Sequence, residues 1–408
     1  MQTELKSPST GDYAILSHTW GTEEDEVTFQ DLQEPDERKK KNGWSKIQEC
    51  CEQAKKDGID WVWIDTCCID KRSSAELSEA INSMYAWYRD SAVCYVFLED
   101  VPPLAPGLPE NEFEGARWFT RGWCLQELIA PSKVEFYAKD WTDIGTRWSL
   151  HETIGYITGI PSSVLLDRDG PPKCSIAQKM SWASQRRTTR VEDEAYCLLG
   201  ILDVNMPLLY GEGRKAFRRL LSEILKEHED FSFLLWTAQG SQDIDESLAP
   251  AALELGFFHT EGLSLSQTRQ CPYEEIEPAK SLPEPLSQAL ARRSPPQLTS
   301  RGLQVEMLVQ SDPPRLEGLE HEETSLLFTE FMYKGKLVCI ALDANDETDI
   351  LTTEPSWSAV YNPAISQAPG PTNTSIVKMQ QHDHQLDRIY TDDQILCSRP
   401  ASDLPPIS

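Results

Sequence analysis

The sequence predicts an α/β fold in which helices cover both faces of a parallel sheet. Three apolar runs in the first 100 residues lead to this prediction: YAILS at 13–17, WVWI at 61–64 and AVCYVFL at 92–98. None of them alternates between apolar and polar residues, and such continuous runs are typical of strands that are buried on both faces. Segments with helical periodicity separate the runs, and this alternation of strands and helices builds parallel sheets.

The remaining elements of this part follow in order. A polar turn, HTWGTEED, comes after the first run, and Trp44–Lys56 then has helical periodicity. Glu76–Arg89 repeats apolar residues at helical spacing, which predicts an amphipathic helix before the third run. A short helix is expected at Gly122–Ile129, because Pro131 stops it, and Lys133–Tyr137 is a further strand.

Beyond the sheet, the chain changes character twice. Residues 175–226 are predicted to be helical, and Thr189–Glu192 fits a capping box ahead of an apolar stretch. After residue 234 come 16 of the 27 prolines and several short strand candidates. The predicted domains are therefore a sheet domain at 12–150, a helical extension at 151–234, a smaller β-rich domain at 235–361 and a poorly ordered acidic, Pro-rich tail at 362–408.

Composition excludes several classes of protein. With 38 basic and 66 acidic residues the formal net charge is −28, which argues against non-specific binding to nucleic acid or anionic lipid. No apolar run approaches 18 residues and the first residues lack the apolar core of a signal peptide, so we expect neither a membrane span nor secretion. The eleven cysteines show no CxxC spacing. We therefore predict a cytoplasmic protein with reduced thiols and no metal site.

Candidate ligand-binding residues follow from the ends of the predicted strands. In open α/β sheets, ligands bind beyond the carboxyl ends of the strands. These ends lie at the Ser17–Gly21 loop, at Asp65–Ser73 and after Leu98. The predicted contacts are Ser17, His18, Trp20, Gly21 and Asp65.

Four motifs in this order resemble the fungal heterokaryon-incompatibility (HET) domain: YAILSHTWG at 13–21, WVWIDTCCID at 61–70, RGWCLQELIAP at 121–131, and the long segment at 181–220. The resemblance covers about residues 12–235. It implies a domain that triggers cell death when incompatible strains fuse, and hence an incompatibility partner protein.

A more distant resemblance, to Toll/interleukin-receptor (TIR) domains, implies chemistry. The plant-type segment Trp-Cys-Leu-x-Glu-Leu is matched by residues 123–128. In enzymatic TIR domains its glutamate cleaves NAD, which implies that Glu127 is the catalytic residue and that NAD is a substrate, with no cofactor. Trp123 precedes Glu127 by four residues on the same helix face and is expected to bind the ligand. The resemblance also implies a TIR-like, flavodoxin-like sheet and activity that depends on self-association.

Several positions allow more than one interpretation. Glu127 could be a solvated helical residue. In a rival interpretation Glu127 is structural, and the chain is a non-catalytic signalling or adaptor module that acts by homotypic assembly. Cys67 or Cys68 could be a nucleophile with His18 as its base, although adjacent apolar cysteines more often pack. The segment at 211–216 fits either a loose dinucleotide fingerprint or a helix start. The arginines at 186, 187 and 190 could bind phosphate or pair with neighbouring acidic residues.

Overall fold

The computed structural model describes residues 12–103, 111–167, 171–228 and 230, and beyond them the backbone of strands between residues 276 and 389. The chain forms two compact units. The first comprises residues 1–174 and 182–223, and the second residues 175–181 and 224–408. The first unit holds all the predicted site residues.

The first unit is built on a five-stranded sheet of order β2-β1-β3-β4-β5. The strands are β1 Tyr13–His18, β2 Trp61–Trp63, β3 Val93–Phe97, β4 Val134–Tyr137 and β5 Asp143–Thr146. β1 pairs in parallel with both β2 and β3, and β3 pairs in parallel with β4. The predicted parallel sheet is therefore confirmed for four strands. The edge strand β5, which the sequence did not predict, runs antiparallel to β4.

The described residues also form thirteen α-helices. They are α1 Phe29–Gln33, α2 Pro35–Arg38, α3 Trp44–Lys56, α4 Asp65–Cys68, α5 Ser74–Asp90, α6 Asn111–Glu114, α7 Cys124–Ile129, α8 His151–Thr158, α9 Ser162–Leu166, α10 Ile176–Ala183, α11 Asp193–Tyr196, α12 Leu199–Leu202 and α13 Lys215–Glu227. Short 3-10 helices lie at Arg117–Thr120 and Pro171–Lys173. Within the described residues, no helix is both long enough and apolar enough to cross a membrane.

The pleat of β1 divides the core into two faces, because successive side chains of a strand point to opposite sides. Ala14 and Leu16 join a buried cluster with residues of α3, among them Ile47. On the other face, the Trp63 ring contacts Tyr88 of α5 with ring centroids 6.2 Å apart. The helices thus cover both faces of the sheet, as its continuous apolar strands require.

Local sequence accounts for where the longer helices begin. Ser73 caps α5 by accepting a hydrogen bond from the backbone N–H of Glu76, and a buried stripe then follows at Ala80, Ile81 and Met84. α7 begins at Cys124, two residues after the predicted start, because Trp123 is its N-cap residue. Both helices lie close to the positions that periodicity predicts.

The predicted capping box at Thr189–Glu192 is wrong. Helix α11 begins at Asp193, and its N-cap residue, Glu192, makes no side-chain capping bond. The Glu192 carboxylate instead accepts the backbone N–H groups of Gly211 and Gly213, at 2.8 and 3.0 Å. Two amides brought close by the tertiary fold therefore replace the local partner that the spacing suggests.

The second unit contains an antiparallel sheet of order β11-β14-β13-β8-β9-β10-β12, with β6 paired to β9 and β7 to β8. Its strands are β6 Ile276–Pro278, β7 Gln297–Thr299, β8 Gly302–Gln310, β9 Thr324–Tyr333, β10 Lys336–Asp343, β11 Ile350–Leu351, β12 Ser358–Tyr361, β13 Thr374–His382 and β14 Gln385–Ile389. β13 and β14 fall in the segment predicted to be a poorly ordered tail, the rest of which lies outside the described residues. The domain boundaries at 150, 234 and 361 stay predictions.

Candidate functional site

The carboxyl end of β1 sends two neighbouring side chains to opposite faces of the sheet. Ser17 follows Ile15 in the pleat, and its hydroxyl donates a hydrogen bond to the Glu127 carboxylate of α7. His18 follows Leu16 on the α3 face, where its Nε2 lies 3.7 Å from Glu26 Oε2. Two residues that the sequence assigned to one ligand therefore occupy different surroundings, and of these two only Ser17 contacts Glu127.

Glu127 belongs to a buried hydrogen-bonded chain of three side chains. The indole Nε1 of Trp118 donates to Ser17 Oγ at 2.7 Å, and Ser17 donates in turn to Glu127. Arg147 fixes the end of α7 by donating to the Leu128 carbonyl oxygen at 2.7 Å. Glu127 is only 7% exposed. The interpretation of Glu127 as a solvated helical residue is therefore wrong.

Burial determines the protonation of this carboxyl group. Removal from water raises the pKa of Glu127 from 4.5 to about 8, and the nearby charge of Asp65 acts in the same direction. Hydrogen bonds from Ser17 and Cys124, and the charge of Arg121, act against this rise in pKa. A carboxyl group with a pKa near neutrality can change its charge when a ligand binds, which is typical of functional sites.

Asp65 and Trp20 join the loops that follow β2 and β1. The Trp20 indole Nε1 donates to Asp65 Oδ2 at 2.9 Å, and the Lys71 ammonium lies 3.5 Å from the centroid of the indole ring. The Trp20 side chain is 45% exposed, so it does not enter the core. Asp65 Oδ1 is buried without a hydrogen-bond partner. These two predicted residues therefore lie together at the carboxyl edge of the sheet.

A buried ion pair holds the loop that contains Gly21. Glu26 Oε1 accepts from Lys46 Nζ and from the Gly21 backbone N–H, both at 2.8 Å. Although burial alone would raise the pKa of Glu26, His18, Lys46 and the Gly21 amide together hold it well below its ordinary value. The two His18 ring nitrogens are buried and make no hydrogen bond. The Gly21 amide therefore binds Glu26, and His18 lies beside the same carboxylate with Nε2 3.7 Å from Oε2, rather than beside Glu127.

The loop after β3 reaches the same edge through Arg117. The Arg117 guanidinium donates to Thr19 Oγ1 at 3.1 Å and lies 3.8 Å from Glu99 Oε2. Its backbone N–H donates to Asp100 Oδ2 at 2.8 Å. The prediction that the three strand-end loops meet at one edge is thus confirmed by direct contacts.

Trp123, which the sequence predicts to bind the ligand, contacts the helical segment that follows the sheet. Its indole hydrogen-bonds the Asp193 carboxylate, which also accepts from the Tyr210 hydroxyl at 2.9 Å. Gly122, just before it, is closely packed, because a Cβ there would lie 2.6 Å from Thr188 Cγ2. Trp123 therefore helps to fix α7 on the helical segment that follows the sheet.

The two adjacent cysteines after β2 are packed thiols. The Cys67 thiol donates to the Val27 carbonyl oxygen at 3.4 Å, and burial raises the pKa of Cys68 to about 11. Burial also raises the pKa of Cys67 above its ordinary value. Such thiols remain protonated and pack in the core. Neither has the properties of an activated nucleophile.

Two segments in which the sequence allows a phosphate site have other partners in the fold. Helix α13 begins at Lys215, and the amides of Gly211 and Gly213 already bind Glu192, so this segment is a helix start. Arg186 is buried and donates to the Arg121 carbonyl oxygen at 3.0 Å. This backbone partner differs from the phosphate or acidic side chain that the sequence suggested. Among the described residues, no group of three or more His, Cys, Asp or Glu side chains has a geometry that could hold a metal ion.

Three residues of this region were missed by sequence reasoning. Trp118, Glu26 and Lys46 are buried and contact predicted site residues. Trp118 stands five residues before the Trp-Cys-Leu motif and resembles any core tryptophan in the sequence. Glu26 and Lys46 lie in polar stretches that look like solvated surface. Their spacing along the chain contains no signal for these contacts.

Comparisons with known proteins agree with the resemblance. Residues 13–103 match the family described as "Heterokaryon incompatibility protein (HET)". The chain is also similar to "Vegetative incompatibility protein HET-E-1" of Podospora anserina, with 50% identity over 231 residues. The aligned segment covers 55% of this chain and 17% of that protein. The chain thus spans about a sixth of the length of this relative. No solved structure matches. From the family match and this identity, we conclude that the chain is a protein with a fungal heterokaryon-incompatibility (HET) domain.

Proposed function

We propose that this chain acts in vegetative incompatibility as a cell-death effector that cleaves the nicotinamide–ribose bond of NAD or a related nucleotide. The incompatibility role rests on the HET match and on the name of the relative. The chemistry rests on the TIR-like motif at residues 123–128, which lies beyond the matched residues 13–103. The four parallel strands have the order 2-1-3-4, which flavodoxin-like sheets share, and this order supports the TIR-like assignment, although β5 runs antiparallel.

One observation carries the chemical part: the hydrogen bond between Ser17 and Glu127. It holds the carboxyl group of the motif at the carboxyl end of β1, the edge at which ligands bind in such sheets. Trp20 and Asp65 lie at the same edge, in direct contact with each other. An aromatic ring and two carboxyl groups are suited to a ligand that carries a ring and ribose hydroxyls.

The proposed reaction needs a single carboxylate. When the bond breaks, the pyridinium leaves as neutral nicotinamide, so no acid is needed to protonate it. Positive charge develops on the ribose, where the Glu127 carboxylate stabilises it and orients a water molecule. The water oxygen bonds to the anomeric carbon, and the proton that it loses passes through Glu127 to solvent. A pyridinium close to Glu127 also favours its ionised form, so binding of NAD lowers the pKa from about 8.

The proposal requires a movement of the loop after β1. Because Glu127 is 7% exposed, the nucleotide reaches it only when neighbouring segments move, and the loop with Trp20, whose side chain is 45% exposed, is the segment that we propose to move. Self-association, which the TIR resemblance implies, would then hold the loop in its open form. We propose a cytoplasmic protein that binds an incompatibility partner and further copies of itself.

The experiment is nicotinamide release from NAD by the purified full chain and by Glu127→Gln, which removes the charge and keeps the volume. We expect a loss of about 10²–10³ in rate, the usual effect of losing one electrostatic group that stabilises a transition state. Assays at rising protein concentration test self-association, because specific activity should then increase.

Glu135→Gln is the matched control, because this carboxylate is also largely buried but pairs with Lys133 and Tyr137. It should retain the wild-type rate. Equal rates for wild type and folded Glu127→Gln would contradict the proposal, as would cell killing by Glu127→Gln.

A second candidate function is favoured by two exposed aromatic residues. Trp148 and Tyr156 are 74% and 82% exposed, close in sequence to the edge strand β5. A non-catalytic signalling module that acts by homotypic assembly would use such side chains in its contacts. In that case Trp148→Ser with Tyr156→Ser should abolish both killing and self-association, measured by light scattering, while wild type releases no nicotinamide.

A further inference from the structure

The orientation of the Ser17 hydroxyl follows from its two partners. Trp118 Nε1 lies 2.7 Å from Ser17 Oγ, and an indole nitrogen can only donate a hydrogen bond. It therefore occupies a lone pair of the serine oxygen and leaves the serine proton for another acceptor. That acceptor is the Glu127 carboxylate, since Ser17 Oγ is hydrogen-bonded to its Oε2.

We propose that Ser17 is a positioning residue for Glu127, with its hydroxyl oriented by Trp118, and that it does not contact the substrate. The inference concerns the carboxyl group itself, and its catalytic consequence rests on the proposed function. Ser17 and Trp118 are fully buried, so neither offers a polar atom to a ligand at the surface. Both side chains already have hydrogen-bond partners within the protein, so neither needs a ligand to satisfy it.

This arrangement opposes the effect of burial on Glu127. A hydroxyl that donates to a carboxylate stabilises its ionised form, and Ser17 is the strongest influence that lowers the pKa of this buried group. Among the residues that the structure describes, the other groups whose charges interact with Glu127 are Asp65 of α4, Tyr88 of α5, Cys94 of β3, Cys124 of α7, and Arg121 and Arg186. Without Ser17, the carboxyl group would stay protonated to a higher pH.

The test measures the titration of Glu127 directly in the full chain, by carbon NMR of ¹³C-labelled glutamate, with Glu127→Gln to assign the signal. In Ser17→Ala we expect the midpoint to move up by about one to two pH units, the effect of losing a hydrogen bond to a charged group. Trp118→Phe keeps most of the ring and frees the Ser17 hydroxyl to rotate, so its midpoint should move in the same direction by less.

The matched control is Ser91→Ala, another buried serine, whose hydroxyl donates to the Tyr88 carbonyl oxygen at 2.8 Å. Its midpoint should equal that of the wild type. An unchanged or lower midpoint in folded Ser17→Ala would overturn the inference, and an unchanged midpoint in Trp118→Phe would overturn the part assigned to the indole.

Nicotinamide release separates this inference from the proposed function. If both hold, the acid limb of the pH–rate profile of Ser17→Ala moves upward together with the titration midpoint. If the midpoint moves but the wild type releases no nicotinamide at any pH, Ser17 still positions Glu127 and the proposed cleavage of NAD is wrong.

Discussion

Replacing Glu127 by glutamine should make the protein more stable in alkaline solution. The carboxyl group has a pKa of about 8 in the folded chain, against an ordinary value of 4.5, because it is buried beside Asp65. Between these two pH values the folded state binds more protons than the unfolded state, so stability falls as the pH rises. Each pH unit corresponds to roughly 1.4 kcal/mol, which gives a loss on the order of 5 kcal/mol by pH 8.

Glutamine keeps an oxygen that can accept from Ser17 but has no proton to lose. We therefore expect similar stability for wild type and Glu127→Gln at about pH 4.5, and a growing advantage for the variant up to about pH 8. Above that pH the difference should become constant. Urea unfolding of both full-length proteins across this range measures the free energies of unfolding.

Glu135→Gln again serves as the control, because its carboxylate pairs with Lys133 and accepts a hydrogen bond from Tyr137, and this variant should show no such growing advantage. A difference between wild type and Glu127→Gln that is constant with pH would refute the reasoning. A variant that becomes relatively weaker as the pH rises would show that the folded state stabilises the ionised carboxylate and lowers its pKa below the ordinary value.

Three further changes test other contacts. Lys46→Met should lower the free energy of unfolding by about 3 kcal/mol or more, because it leaves Glu26 charged and buried without its cation. In urea unfolding, the double variant with Glu26→Gln should recover most of the lost free energy. Gly200→Ala should lower the free energy of unfolding by about 1–3 kcal/mol in the same assay, because the new Cβ would overlap the Tyr85 side chain. An unchanged unfolding midpoint would contradict this packing. Cys67, which is buried and whose pKa is raised by that burial, should resist iodoacetamide in the folded protein at about pH 8; mass spectrometry that finds it alkylated as fast as in urea would contradict its burial.

The parallel sheet could be predicted because its signal is local. A strand covered on both faces must be apolar at successive positions, and the three runs that begin at Tyr13, Trp61 and Ala92 show this within a few residues each. β5 has no such run, because its four residues, DIGT, are only partly buried and form the edge strand of the sheet. An edge strand has a neighbouring strand on one side only. The antiparallel pairing of β5 with β4 depends on the turn between them.

The candidate site could be predicted only in part. The residue types and the edge of the sheet follow from the ends of the strands and from the TIR-like motif. The hydrogen-bond partners of side chains do not follow from the sequence in this way. Glu192, for example, accepts from two glycine amides about twenty residues later, and not from the adjacent residues of a capping box. Hydrogen bonds between distant segments compete with local ones, and only packing decides which of them form.

By itself, then, the sequence determined the α/β class of the fold and the presence of a HET domain, because both are written in short contiguous patterns. The tertiary structure alone decided which side chains share a site. Ser17 and Glu127 are 110 residues apart and in contact, whereas Ser17 and His18 are neighbours that the pleat sends to opposite faces. The order of residues along the chain determines the order of the helices and strands. The groups that surround Glu127, and therefore its charge, depend on how these elements pack.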